Sequence, residues 1–142
     1  MKLVTSILVV VLACITWTQI VVSQSSQKPE DLAQKSAEAW LALTDSGKYD
    51  ESWQEASQQF KNAVTKEQWL NAMKSVRAPL GAVQSRKLKS ATYTKTVPGA
   101  PDGEYVVIQY DTSFENKKSS VETITPMLDK DGKWHVSGYY IK

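Results

Sequence analysis

The chain carries one cysteine, Cys14, and one histidine, His135, among 142 residues. Cys14 lies in an apolar N-terminal run, so everything after it lacks a thiol for a disulfide or a metal site, and the core must hold the fold unaided. A lone histidine excludes multi-histidine metal centres and, without cysteine beside it, ordinary zinc chemistry. On the last expected strand it falls on the face opposite Trp134 and Val136, which points it to solvent. No serine sits in a G-x-S-x-G elbow, and one imidazole leaves little to activate any of them. A glycine-rich phosphate loop is missing too. Asp129-Lys130-Asp131-Gly132 looks like part of a calcium loop. Setting Gly132 at the invariant glycine, however, puts Met127 at the first ligand position and Gly138 where the bidentate glutamate belongs. The segment reads as a hairpin turn, and neither a metal nor a cofactor is expected.

Charge of one sign is also lacking. Seventeen Lys and Arg face fifteen Asp and Glu, for a formal net charge of +2. Lys117-Lys118 is too short to make a basic stripe, so no nucleic-acid partner is expected.

What the chain does have begins at its N-terminus. Met1-Lys2 precedes an apolar run from Leu3 to Ala13 that continues less strictly from Ile15 to Val22. A basic start, an apolar stretch and small residues before a polar segment are read by export machinery. Residues 1–23 are expected to be a signal peptide, residues 24–29 a polar spacer and residues 30–142 a single domain. Two alternatives compete with removal. An uncleaved anchor would need about 20 apolar residues, and Thr16, Thr18 and Gln19 dilute the run. Lipidation is the other, because Val11-Leu12-Ala13-Cys14 approximates a bacterial lipobox, although Leu12 fits poorly. The expected location is periplasmic or secreted, with a lipid-anchored envelope protein as the alternative. Membrane contact would come only through an uncleaved or lipidated N-terminus.

The domain divides by period. Pro29 suits the first position of a helix, with Glu30 and Asp31 at its positive end. Ala33, Ala37, Trp40 and Leu41 share one face, widened by Leu32, Ala39 and Leu43, and Gly47 stops it. Asp50 is placed to cap a second helix bearing Trp53, Ala56 and Phe60. Thr65 and Gln68 form a capping box for a third, with Val64 and Trp69 as a hydrophobic staple. Trp69, Ala72, Met73 and Val76 make its expected buried stripe, and Pro79 with Gly81 ends it. From Ala82 the pattern alternates. Ala82–Val97 suggests a long bulged strand, and Pro98–Gly103 a turn. Tyr105–Phe114, Ser119–Leu128 and Trp134–Ile141 follow as strands. The expectation is an α+β domain with three N-terminal helices on one face of a four-stranded antiparallel sheet.

Three stretches carry a family resemblance: Val76-Arg77-Ala78-Pro79-Leu80-Gly81, Pro98-Gly99-Ala100-Pro101-Asp102-Gly103-Glu104-Tyr105, and Trp134-His135-Val136-Ser137-Gly138-Tyr139. With Trp40-Leu41-Ala42-Leu43, Ser52-Trp53, Gln68-Trp69 and Glu122-Thr123, the chain resembles the bacterial domain of unknown function 4019 family from about Ala37 to Ile141. That resemblance implies a small exported bacterial protein without an established activity. The order of elements is also similar to the cone-shaped nuclear transport factor 2-like and cystatin-like folds, which host enzymes and binding modules alike.

Only two arginines are present, Arg77 and Arg86. They flank the Pro79-Gly81 break, and a planar guanidinium suits a carboxylate held by two hydrogen bonds. Two readings stay open. The arginines tie the helix end to the sheet through Glu122 or Asp111, or Arg77, Arg86 and Glu122 form an anion-binding site at the mouth of a cone. A non-catalytic module binding a small anionic or amphipathic molecule, or an envelope protein, is the leading functional expectation. The alternative is a small isomerase- or hydrolase-like enzyme using Glu122 or Asp111 as base with Tyr110. That would follow the carboxylate and tyrosine pattern of ketosteroid isomerase. Alternation puts Tyr110 and Asp111 on opposite faces, so Glu122 with Tyr110 requires their strands to pair in register.

Overall fold

A computed structural model describes residues 26–142. The apolar run, and with it the cleavage, anchoring and Cys14 lipidation readings, lies outside the described residues. Four helices come first: α1 (Pro29–Asp45), α2 (Tyr49–Glu55), α3 (Gln58–Ala63) and α4 (Lys66–Ala72). α4 runs on through a π-helical turn, Met73–Arg77, and a 3-10 turn, Ala78–Leu80. Strands β1 (Val83–Thr94), β2 (Tyr105–Phe114), β3 (Lys117–Leu128) and β4 (Trp134–Ile141) form one antiparallel meander in chain order. The domain is α+β, as expected, with four helices where three were anticipated. None of the described helices is long and apolar enough to cross a membrane.

α1 starts with Pro29 at its first position and Glu30 and Asp31 in its first turn, where the macrodipole favours them. Ala33, Ala37, Trp40, Leu41 and Thr44 make its buried stripe; Leu32 and Ala39 lie outside it, exposed. The second expected helix breaks in two. Asp50 does not cap α2, which begins at Tyr49 behind Lys48 without a side-chain cap. After Glu55 the chain is extended at Ala56, and Ser57 starts α3 with its Oγ accepting from the Phe60 N–H at 3.0 Å. The break frees the Ser57 N–H to donate to the Val136 carbonyl at 2.9 Å. Ser36 Oγ likewise donates to the Trp134 carbonyl at 2.7 Å. Helical groups thus cover outward-facing carbonyls of edge strand β4, which bare would invite pairing with another chain.

α4 has the capping box: the Gln68 N–H donates to Thr65 Oγ1 at 3.2 Å and the Thr65 N–H to Gln68 Oε1 at 2.9 Å. Its buried stripe is Trp69, Met73 and Arg77, while Ala72 and Val76 are exposed. The correction comes from the π turn. A wider turn places Arg77 in line with Met73 and pushes Val76 out of the face an α-helix would give it.

The helices bring their indoles together over the sheet. Trp40 and Trp69 have centroids 5.6 Å apart, and Tyr139 meets Trp40 edge-on at 5.2 Å. Every indole N–H of the three is satisfied: Trp40 by the Ser52 carbonyl, Trp69 by Ser52 Oγ, Trp53 by the Val64 carbonyl. They pack with Val106, Ile108, Tyr110, Ile124 and Val136 from the inner sheet face. β2 alternates as expected, with Val106, Ile108, Tyr110, Thr112 and Phe114 buried and Asp111 exposed. Irregularities interrupt β1 between Val83 and Ser85 and between Leu88 and Ser90.

Candidate functional site

One buried polar cluster sits where the end of α1, the π turn and the sheet meet. Asp45 ends α1, Arg77 ends the π turn, Arg86 lies on β1 and Glu122 on β3. Arg86 grips two carboxylates at once. Its Nε and Nη2 donate to Glu122 Oε1 and Oε2 at 2.7 and 3.2 Å. Its Nη1 and Nη2 donate to Asp45 Oδ2 and Oδ1 at 2.7 and 3.0 Å. Arg77 joins through Nη2 to Asp45 Oδ1 at 3.2 Å, caps the Gly81 carbonyl at 2.7 Å and lies over the Phe114 ring at 4.7 Å. Glu122 is fully buried and also accepts from Thr112 Oγ1 at 2.6 Å and from the Tyr139 hydroxyl. Each of its oxygens therefore takes two donors, which saturates a carboxylate.

Burial would lower the Arg86 pKa, but hydrogen bonds to Asp45 and Glu122 more than offset this and hold it above its ordinary value. Burial, then the charge and hydrogen bond of Glu122, push the Tyr139 hydroxyl far up. Two of the expected residues behave differently. Tyr110 stands directly opposite Glu122 in the β2–β3 register, yet its buried hydroxyl has no hydrogen-bond partner among the described residues. Burial, followed by the nearby Glu38 carboxylate, pushes its pKa up to about 12. Asp111 is on the outer sheet face beside Lys89, away from the cluster. The arrangement thus joins Arg77, Arg86 and Glu122, sets Tyr110 beside them and leaves Asp111 out. Sequence reasoning missed Asp45, which reads as one more acid at a helix end, and chose Tyr110 over Tyr139.

The profile described as "Protein of unknown function (DUF4019)" matches residues 36–139. The chain belongs to the DUF4019 family. No curated protein matches it. All six residues of the cluster, Asp45, Arg77, Arg86, Thr112, Glu122 and Tyr139, fall within the matched span.

Open surface in this DUF4019 domain lies elsewhere. Two adjoining clefts of about 400 and 450 Å³ run between α1 and the start of β4 and share Ser36, Lys133 and Trp134. The first adds Trp40 and Leu43 to its apolar wall and Glu51 and Glu55 to its rim, and the second adds Leu32 and Leu128. His135 lines the first cleft and, where its strand position implied a solvent-facing side chain, is partly covered, with 23% of the side chain exposed. Its Nδ1 is 3.1 Å from the Glu55 carbonyl oxygen and its Nε2 is 2.7 Å from Asp131 Oδ2. β4 is an edge strand beside the α2–α3 break, so its side chains reach helical groups that strand alternation does not reveal. Among the described residues, no group of three or more His, Cys, Asp or Glu is arranged to hold a metal ion.

Proposed function

We propose that this protein is a non-catalytic binding module of the bacterial cell envelope, exported by its N-terminal apolar run and built on a cone-shaped, nuclear transport factor 2-like plan. It holds a small amphipathic molecule in the groove between α1 and β4. The observation that carries the reading is the saturation of Glu122. All four of its hydrogen bonds are internal. A general base needs a free lone pair within reach of a substrate proton, and Glu122 has none to offer. Arg86 is engaged with Glu122 and Asp45, and Arg77 with Asp45 and the Gly81 carbonyl, its buried Nε alone lacking a partner among the described residues, which favours an architectural role of tying helices to sheet over an open anion site.

The groove has the opposite character. Its combined clefts fall in the size range of small-molecule sites, roughly 300–1,000 Å³. Trp134 and Leu32 supply apolar floor, while Lys133, Glu51 and Glu55 supply polar groups at the rim. An apolar body with a polar end suits such a surface.

Mass spectrometry under native conditions, on the protein purified from its own envelope, tests the reading. The expected result is a co-purifying small molecule, retained by the wild type and lost from Leu32→Glu, whose side chain is already 38% exposed. The same spectra report the mature N-terminus and any lipid on Cys14. A wild-type protein carrying nothing, or a variant carrying as much, would contradict the proposal.

A further inference from the structure

The single histidine is held in a way that only one of its protonation states satisfies. His135 Nδ1 faces the Glu55 carbonyl oxygen at the end of α2, and Nε2 faces Asp131 Oδ2 in the β3–β4 turn. Both partners are acceptors. An imidazolium donates to both, whereas the neutral ring has one N–H and must turn a lone pair against an oxygen in either tautomer. We propose that His135 is a proton-operated latch: charged, it ties the β3–β4 turn to the end of α2, and on losing its proton it lets that side of the groove move.

The two acids of the turn are held by backbone donors. Asp129 Oδ2 accepts the Gln58 N–H at 2.9 Å, Asp129 Oδ1 the Lys130 N–H at 2.8 Å, and Asp131 Oδ1 the Lys133 N–H at 2.9 Å. Histidine is the one ordinary side chain that changes charge between about pH 5 and 8. Around the ring, the charges of Asp131 and Asp129 from the turn and the backbone carbonyl of Glu55 from α2 favour the charged form, and the Glu55 carboxylate lines the same cleft. Lys130 and Lys133 from the turn oppose that form, as does Lys61 of α3, whose ammonium donates to the Gln54 carbonyl. Partial burial lowers the His135 pKa, and the bonds to Asp131 and Glu55 more than reverse this. His135 and Glu55 also line both the first groove cleft and a neighbouring one of about 330 Å³ on the α3 side. Both clefts therefore meet at these two residues. This latch stands whether or not the groove is a binding surface.

Because there is one histidine, its titration needs no assignment. Ring and amide NMR shifts of the full chain, kept in detergent for its apolar N-terminal run, are followed from about pH 5 to 9, a span that brackets histidine titration. The ring midpoint is expected above the usual 6.5. The amides of Gln58 and Lys133 should move with the same midpoint. Asp131→Asn lowers that midpoint, and His135→Gln leaves both amides without the transition. A midpoint at or below 6.5 overturns the proposal. So does a titration that the two amides ignore. If His135→Gln does not fold, the exposed Asp131→Asn carries the test alone.

Discussion

Two tyrosines near Glu122 differ in one respect, and that difference is measurable. Tyr139 donates its hydroxyl to the carboxylate, while the Tyr110 hydroxyl is buried without a partner among the described residues. A hydrogen bond to a charged group contributes about 1.5–3 kcal/mol, whereas a buried unsatisfied hydroxyl costs about 1–3 kcal/mol. Tyr139→Phe is therefore expected to lower the urea midpoint, and Tyr110→Phe to leave it unchanged or raise it. Equal losses from the two would contradict the assignment. His135 and the acids of the β3–β4 turn give a pH dependence whose sign is fixed by their shifts. The raised pKa of His135 means that its stabilisation is complete below 6.5 and is lost as pH rises through the higher folded value. Backbone donors, from Gln58 to Asp129 first, hold the Asp129 carboxyl below its usual 3.8. Asp131 is held down by the His135 hydrogen bond first. Their stabilisation is complete above 3.8 and is lost as pH falls through the lower folded values. The thermal midpoint scanned against pH should be highest between these limits, and His135→Gln should remove the alkaline fall and weaken the part of the acid fall that Asp131 supplies.

Among the elements, the end of α4 is the most informative. The π turn puts Arg77 inward and leaves Val76 57% exposed. Val76→Glu is accordingly expected to change stability by no more than about 0.5 kcal/mol, the range of ordinary surface substitutions. A loss of several kcal/mol on chemical denaturation would mean an α-helical register with Val76 buried. Five residues on, Gly81 has φ 76° and ψ −158°, where an added Cβ would lie 2.7 Å from Glu115 Oε2 and 2.9 Å from its Cβ. Gly81→Ala should cost about 1–3 kcal/mol from backbone strain, read as a lower unfolding midpoint, with displacement of Glu115 besides. Local chemistry made some of this legible in the sequence. Thr65 and Gln68 lie three residues apart and cap α4 with no help from elsewhere. The break at Ser57 and the turn at Met73–Arg77 were not legible. The first exists because the Ser57 N–H meets Val136, a strand residue far along the chain, and the second because Arg77 must reach Asp45. Neither cause is local.

Across the whole molecule, the polar cluster links α1, the π turn and all four strands in a domain that has no disulfide to do so. The Arg86–Glu122 pair was within reach of the sequence because arginine is scarce and Glu122 alternates with buried Ile124. Which tyrosine completes it depends on strand pairing. Tyr110 is directly opposite Glu122 but leaves its hydroxyl elsewhere, while Tyr139 reaches in from β4. The groove was illegible for a similar reason, since Leu32 and Trp134 lie far apart in the chain and share a cleft wall only when α1 lies along β4. The account therefore stands on Glu122 as the anchor between helices and sheet. Its most direct test is urea unfolding of Glu122→Gln beside the wild type. Removing one partner of a buried ion pair costs about 3–5 kcal/mol, a large share of the roughly 5–15 kcal/mol that holds a domain together. The midpoint should fall accordingly, with the slope against urea unchanged. An unchanged midpoint would contradict the account.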